Sequence, residues 1–241
     1  MPYLACQSHS FPISGLAQRE LDELADRTKL ELAEHDSKAN ETFEFIKQDD
    51  GYRVRFGKIN LCASQPFELA AELVRSRIHQ MVNAAHPELC YLWGDAVNFS
   101  DGRAVLCLGP SLSGQTRLAK ALVAAGAQPW CEHFVPLSSD TGVLRYPKIQ
   151  APQHSLKIAA IVCTTYLPRA AWSPRELSAG ETVLKLTEVL SAEDGMQPTT
   201  LARLAKLASQ TEVRVSGERS DTESVVAYLK ERLQIDAGCH S

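Results

Sequence analysis

Ala104-Val105-Leu106-Cys107-Leu108 and Ile158-Ala159-Ala160-Ile161-Val162-Cys163 are unbroken apolar runs, too short for helices and without polar alternation. Such runs predict strands covered on both faces of a sheet. Elsewhere the pattern takes other periods. Over residues 18–35, Leu21, Leu24, Leu30 and Leu32 recur among charges and predict an amphipathic helix. Residues 1–15, with Pro2, Pro12 and Gly15, read as irregular. Phe43-Glu44-Phe45-Ile46 and Tyr52-Arg53-Val54-Arg55-Phe56 alternate on either side of an Asp50-Gly51 turn, the signature of a β-hairpin. A helix starting at Pro66 and carrying Leu69, Leu73, Met81 and Val82 follows, then a strand from Tyr91 to Val97.

After Leu108 the period changes again. A glycine-containing loop leads into Arg117–Ala125, which reads as a helix closed by Gly126. Phe134–Leu137 and Val143–Tyr146 read as short strands around a polar turn. Ser173-Pro174-Arg175-Glu176 has the form of a capping box with proline at the first helical position, so a helix is expected there. Further helices are expected over residues 199–209 and 222–233, the second behind a Ser220/Glu223 box, with strand Glu212–Val215 between them. The polar stretch His35–Asn40 reads as a linker. It divides an N-terminal extension of residues 1–40 from a domain of residues 41–235, followed by a tail of residues 236–241.

Composition narrows the function. A net charge of −4 gives no basic field to attract nucleic acid or an anionic membrane, so any affinity for phosphate must be local. Seven cysteines without a C-x-x-C pair suit reduced thiols, and no basic-then-apolar leader stands at the N-terminus. A soluble cytoplasmic protein is expected. His9, His86, His154 and His240 read as surface or loop residues rather than metal ligands.

The chemistry concentrates in Gly109-Pro110-Ser111-Leu112-Ser113-Gly114-Gln115-Thr116. This is the frame of a phosphate-binding P-loop, G-x-x-x-x-G-K-S/T, with glutamine where lysine belongs. The glycines and the helix that follows would aim backbone N–H groups at an anion, and Thr116 would be placed to hold Mg²⁺. Gly109, Ser111, Ser113, Gly114, Gln115, Thr116 and Arg117 are the expected binding residues. Gln115 has a donor and an acceptor but no charge, so it can touch a phosphate without neutralising it. Arg145, Lys148 and Lys157 are the candidate replacements if the fold returns them to the loop.

The order of features resembles the HPr kinase/phosphorylase-related family, from about Glu41 to Leu233. The resemblance rests on Asp101-Gly102-Arg103-Ala104-Val105-Leu106-Cys107-Leu108-Gly109-Pro110-Ser111, on Phe134-Val135-Pro136-Leu137 and on Tyr146-Pro147-Lys148-Ile149. It implies an α/β fold: a P-loop domain related to phosphoenolpyruvate carboxykinase, with a mixed β-sheet flanked by helices, behind an N-terminal helical and hairpin extension. It also implies ATP or another nucleotide with Mg²⁺ as cofactor, and a small protein or peptide as partner.

Three chemical positions depart from the family. Trp93 stands where relatives carry histidine, Gln115 replaces the lysine, and the paired aspartates with base and metal roles fall on Glu132 and His133. The leading expectation is therefore a degenerate member that binds a nucleotide or anion and acts as a regulatory or accessory protein with impaired phosphotransfer. One alternative is an active serine kinase in which Thr116 and Glu132 hold Mg²⁺, His133 is the base, and Arg145 or Lys148 replaces the lysine. Another is an interaction protein that binds no nucleotide. The oligomeric state is left open.

Overall fold

A computed structural model describes residues 2–6, 9–28, 30–34, 41–110, 113–146, 155–191 and 197–235. Over these residues the chain is a mixed α/β protein with two mixed sheets and six helices, the class that the resemblance implied. It forms two compact units, Met1–His86 and Pro87–Ser241.

The first unit holds strands β1 (Pro2–Cys6), β2 (His9–Ser14), β3 (Glu31–Glu34), β4 (Phe43–Gln48), β5 (Gly51–Phe56) and β6 (Ile59–Gln65), with helices α1 (Gln18–Thr28) and α2 (Phe67–Ala85). The sheet order is β3-β1-β2-β4-β5-β6. The expected hairpin is β4–β5: Phe43, Phe45, Tyr52, Val54 and Phe56 are buried, and the Phe43 and Phe56 rings lie 4.5 Å apart.

Three sequence expectations change here. Residues 2–6 and 9–14 are strands, with Phe11 and Ile13 buried, rather than irregular chain. Pro12 lies opposite Tyr3 of β1, outside the two positions, Ile13 and Ser14, at which β2 meets β4. The expected 18–35 helix stops at Thr28, whose hydroxyl donates to the Leu24 carbonyl, and β3 takes the residues beyond. The division also falls elsewhere. β2 pairs in parallel with β4, Ile13 against Phe43, which joins residues 41–86 to the N-terminal strands rather than to the glycine loop. The linker expected over residues 35–40 lies outside the described residues.

The second unit holds β7 (Cys90–Asn98), β8 (Arg103–Leu108), α3 (Gln115–Ala124), β9 (Gln128–Cys131), β10 (Phe134–Leu137) and β11 (Lys157–Tyr166). It continues with β12 (Arg175–Glu176), α4 (Ala179–Glu188), α5 (Pro198–Gln210), β13 (Val213–Arg219) and α6 (Glu223–Leu233). The sheet runs β10-β7-β8-β11-β13-β12, with β9 also beside β7. β8, β11 and β13 are mutually parallel, and every other pairing in this sheet is antiparallel.

The two apolar runs sit side by side in β8 and β11. Val105, Cys107, Ala160, Val162, Val213 and Val215 pack with Leu118 and Leu122 of α3 and with Val225 and Leu229 of α6. Leu106 and Ile161 are buried as well, so both faces are covered, as the pattern required.

Two helix starts shift. Arg175-Glu176 is not the first turn of a helix but β12, paired to β13. The helix begins at Ala179 behind a capping box formed by Ser178 and Glu181. The Ser220 box does not form either: Ser220 Oγ donates to the Ala170 carbonyl, and Thr222 occupies the position before α6. Val143–Tyr146 is reduced to single bridges from Val143 to Leu137 and Leu156. Among the described residues no helix is long and apolar enough to cross a membrane.

Candidate functional site

Because β8, β11 and β13 are parallel, their carboxyl ends open on one side, where ligands of α/β sheets bind. The glycine loop lies there, between the end of β8 at Leu108 and the start of α3 at Gln115. Gly109 is required by contact: a Cβ at this position would fall 2.4 Å from Ser113 Oγ and 2.8 Å from the Thr164 carbonyl oxygen. Gly114 is required by conformation, with φ of +81° at the N-cap of α3. Ser113 ties the loop down. Its N–H donates to the Pro110 carbonyl, and its own carbonyl accepts from Tyr166 N–H at the end of β11, each at 3.0 Å. The N–H groups in the first turn of α3 have no partner within the helix and favour an anion. Ser111 and Leu112 lie outside the described residues.

A buried carboxylate anchors the helix start from the other side. Asp95, on β7 opposite Cys107, is 1% exposed. Its Oδ2 accepts from Thr116 Oγ1 at 2.9 Å, and its Oδ1 accepts from the His133 backbone N–H at 2.9 Å. His133 adopts φ of +67°, and its carbonyl accepts from Gly94 N–H at 3.2 Å. The His133 Nε2 lies 3.5 Å from Glu132 Oε1. Burial raises the Asp95 pKa above its ordinary value. The His133 N–H and charge and the Thr116 hydroxyl oppose that rise, while Glu132 adds to it.

The fold thus gathers Thr116, Glu132 and His133 around Asp95, to which the sequence pattern assigned no role. The available signal was a lone acid inside the strand Tyr91–Val97. Asp95 and Thr116 suit Mg²⁺, which takes oxygen ligands, often one or two carboxylates with phosphate and water. A carboxylate this desolvated is better matched by a cation than left alone. Among the described residues, no three His, Cys, Asp or Glu side chains gather as a metal site, so the protein would supply only part of the coordination.

Two of the three expected replacement cations are placed elsewhere. Arg145 lies over the Trp130 ring, 5.4 Å from its centroid. Lys157 pairs with Arg103 at the amino end of β8, whereas the loop leaves the carboxyl end, roughly 20 Å along the sheet. Lys148 lies outside the described residues. Gln115 is the first helical residue, and its Oε1 is buried with no partner among the described residues. Trp93 packs against Phe134 with ring centroids 5.2 Å apart.

The basic side chain that does reach the loop is Arg219, at the carboxyl end of β13. It is fully buried, and its Nη2 donates to the Gly114 carbonyl at 2.7 Å. Nε and Nη1 are buried with no partner among the described residues, as are Ser113 Oγ and Thr164 Oγ1. Burial lowers the Arg219 pKa, and the neighbouring Arg117 charge lowers it further, against Cys107 and Asp221. Arg117 itself is exposed.

A cavity of about 240 Å³ adjoins the loop, lined by Gly109, Pro110, Thr165, Lys185, Glu188 and Glu218 among others. A larger one, about 450 Å³, is lined by Asp140, Thr141, Lys157 and Gln210 at the amino end of β11, away from the loop. The thiols offer no nucleophile here: burial pushes Cys131 and Cys163 up to about 12 and raises Cys107 as well. A scan of protein-family models finds no match to this chain, nor does a search of curated proteins.

Proposed function

We propose that the second unit is an HPr-kinase-like P-loop domain that binds the phosphates of a nucleotide, ATP foremost, at the glycine loop. The observation carrying this reading is the 2.9 Å bond from Thr116 Oγ1 to the buried Asp95, directly behind the loop. In P-loop proteins the loop hydroxyl and a strand acid are the pair that holds Mg²⁺. Here Asp95 fixes Thr116 at the first turn of α3 while the N–H groups of that turn face the anion. Bound Mg²⁺ would neutralise phosphate charge, held by Thr116 and Asp95 with Glu132 nearby.

The role is regulatory or accessory, with impaired phosphotransfer. Gln115 brings no charge to the phosphates, Trp93 offers no base, and Glu132 and His133 stand in place of a pair of aspartates. Losing one electrostatic donor in such a site costs roughly 2.7–4 kcal/mol of transition-state stabilisation. Three changed positions would bring transfer close to background. Thermal unfolding with ATP, with and without Mg²⁺, tests the binding. A rise in Tm that is larger with Mg²⁺ is expected, and no shift at millimolar nucleotide would leave an interaction protein without a nucleotide site.

A second reading, an active serine kinase, draws on the convergence of Glu132 and His133 beside Asp95. It requires phosphate transfer from ATP to a peptide that falls at least a hundredfold, by rough analogy, in His133→Ala. Equal transfer by wild type and His133→Ala removes His133 as the base.

A further inference from the structure

We propose that Arg219 supplies, from the end of β13, the positive charge that Gln115 does not, and that the loop and Arg219 together bind a phosphate-type anion. The inference rests on the reading of the loop as a phosphate site and identifies the group that carries its charge.

The argument starts from a cost. A guanidinium removed from water needs partners for its N–H groups, and an opposite charge, to offset desolvation. Arg219 is fully buried, yet among the described residues its guanidinium donates only to a neutral carbonyl, that of Gly114. Nε and Nη1 have no partner among the described residues. Asp221, two residues on, acts on it electrostatically, but its carboxylate accepts from Ser224 N–H and makes no ion pair with Arg219 among the described residues. Arg117 brings a second positive charge near by, which is adverse unless an anion sits between or beside them. The N-terminus of α3 adds a partial positive charge at the same loop.

The geometry makes the guanidinium part of the loop rather than of the distant core. A Cβ on Gly114 would fall 2.9 Å from Nη2, so the glycine that begins the helix is also what lets the arginine approach. Its backbone is held by the parallel register with Tyr166 and by Leu167 N–H, which donates to the Arg219 carbonyl at 2.9 Å. Tyr166 N–H in turn holds the Ser113 carbonyl. One strand end therefore fixes the loop and the next presents the charge. Ser113 Oγ in the loop and Thr164 Oγ1 near the end of β11, buried and without partners among the described residues, are donors of the kind a phosphate oxygen would use. A lysine at position 115 would reach the anion from the helix; Arg219 reaches the loop from the sheet.

The test is thermal unfolding and direct titration of the full chain with sulfate, inorganic phosphate, pyrophosphate and Mg-ATP, against chloride at equal ionic strength. The wild type is expected to gain Tm with phosphate and pyrophosphate. Arg219→Met, similar in bulk and uncharged, should melt higher than wild type in chloride, because an unpaired buried charge is gone. Its anion affinity should fall about ten- to a hundredfold. Adding Gln115→Lys to that variant should restore binding, and Arg219→Lys should bind severalfold more weakly than wild type. If Arg219→Met or Arg219→Lys binds every anion as wild type does, the assignment is overturned, and Arg219 is a structural tie to Gly114. If the wild type itself answers to no anion, the phosphate reading of the loop fails first and takes this inference with it.

Discussion

At position 109 even a methyl group has no room, since the Thr164 carbonyl that it would meet belongs to the backbone of β11. Gly109→Ala is expected to destabilise the fold by about 1–3 kcal/mol, read as a lower Tm, because overpacking here must displace main chain. Asp95 makes a second prediction. Its pKa is raised in the folded state, so its contribution to stability is complete below the unfolded value and is lost as pH rises through the folded one. Asp95→Asn keeps an acceptor for His133 N–H and should flatten that loss. In the absence of Mg²⁺ the variant should melt above wild type at pH 7, and the Mg²⁺-dependent part of any ATP shift should vanish. A variant that melts lower and keeps the Mg²⁺ effect would remove Asp95 from the site. The glycines were legible because their spacing between a strand and a helix is a local pattern, although what Gly109 must clear, the Thr164 carbonyl, comes from β11. Asp95 and Arg219 were not, since an acid inside one strand or a base at the end of another has no evident role until a neighbouring element supplies its partner.

Helix α4 shows how an element boundary escapes a local reading. Two Ser-x-x-Glu sequences follow one another, Ser173 to Glu176 and Ser178 to Glu181, and both satisfy the capping rule. β13 decides between them by pairing Arg175 with Ser216 and Glu176 with Val215, which commits the first box to a strand. Ser178→Ala should therefore cost about 1 kcal/mol of stability. Ser173→Ala should stay within about 0.5 kcal/mol, as exposed positions do. The reverse order in chemical denaturation would contradict the boundary. Hydrogen bonds from Arg175, and then from the Ser178 N–H and hydroxyl, hold Glu181 down to about 2. Its contribution is thus present above the ordinary carboxylate range and lost as pH falls through about 2.

On the scale of the molecule the chain is two compact units, each with its own sheet and its own buried residues. Residues 87–241 made alone are expected to fold and to keep the phosphate response of the full chain, measured by circular dichroism melting with and without pyrophosphate. An unfolded fragment would show that the second unit depends on the first. The division was hidden in the sequence because the polar stretch before Glu41 looks like a boundary, while the pairing of Ile13 with Phe43 spans it.

The sequence by itself determined the buried strands β8 and β11, the hairpin β4–β5, the glycine loop and the helix after it, because each follows from neighbours within a few positions. The tertiary structure alone decided which charges serve the loop. Arg219 meets Gly114 across 105 residues and Thr116 meets Asp95 across 21, through strand registers that no local pattern encodes. Electrostatic partnership depends on distance in space and on burial, and only the assembled sheet sets both.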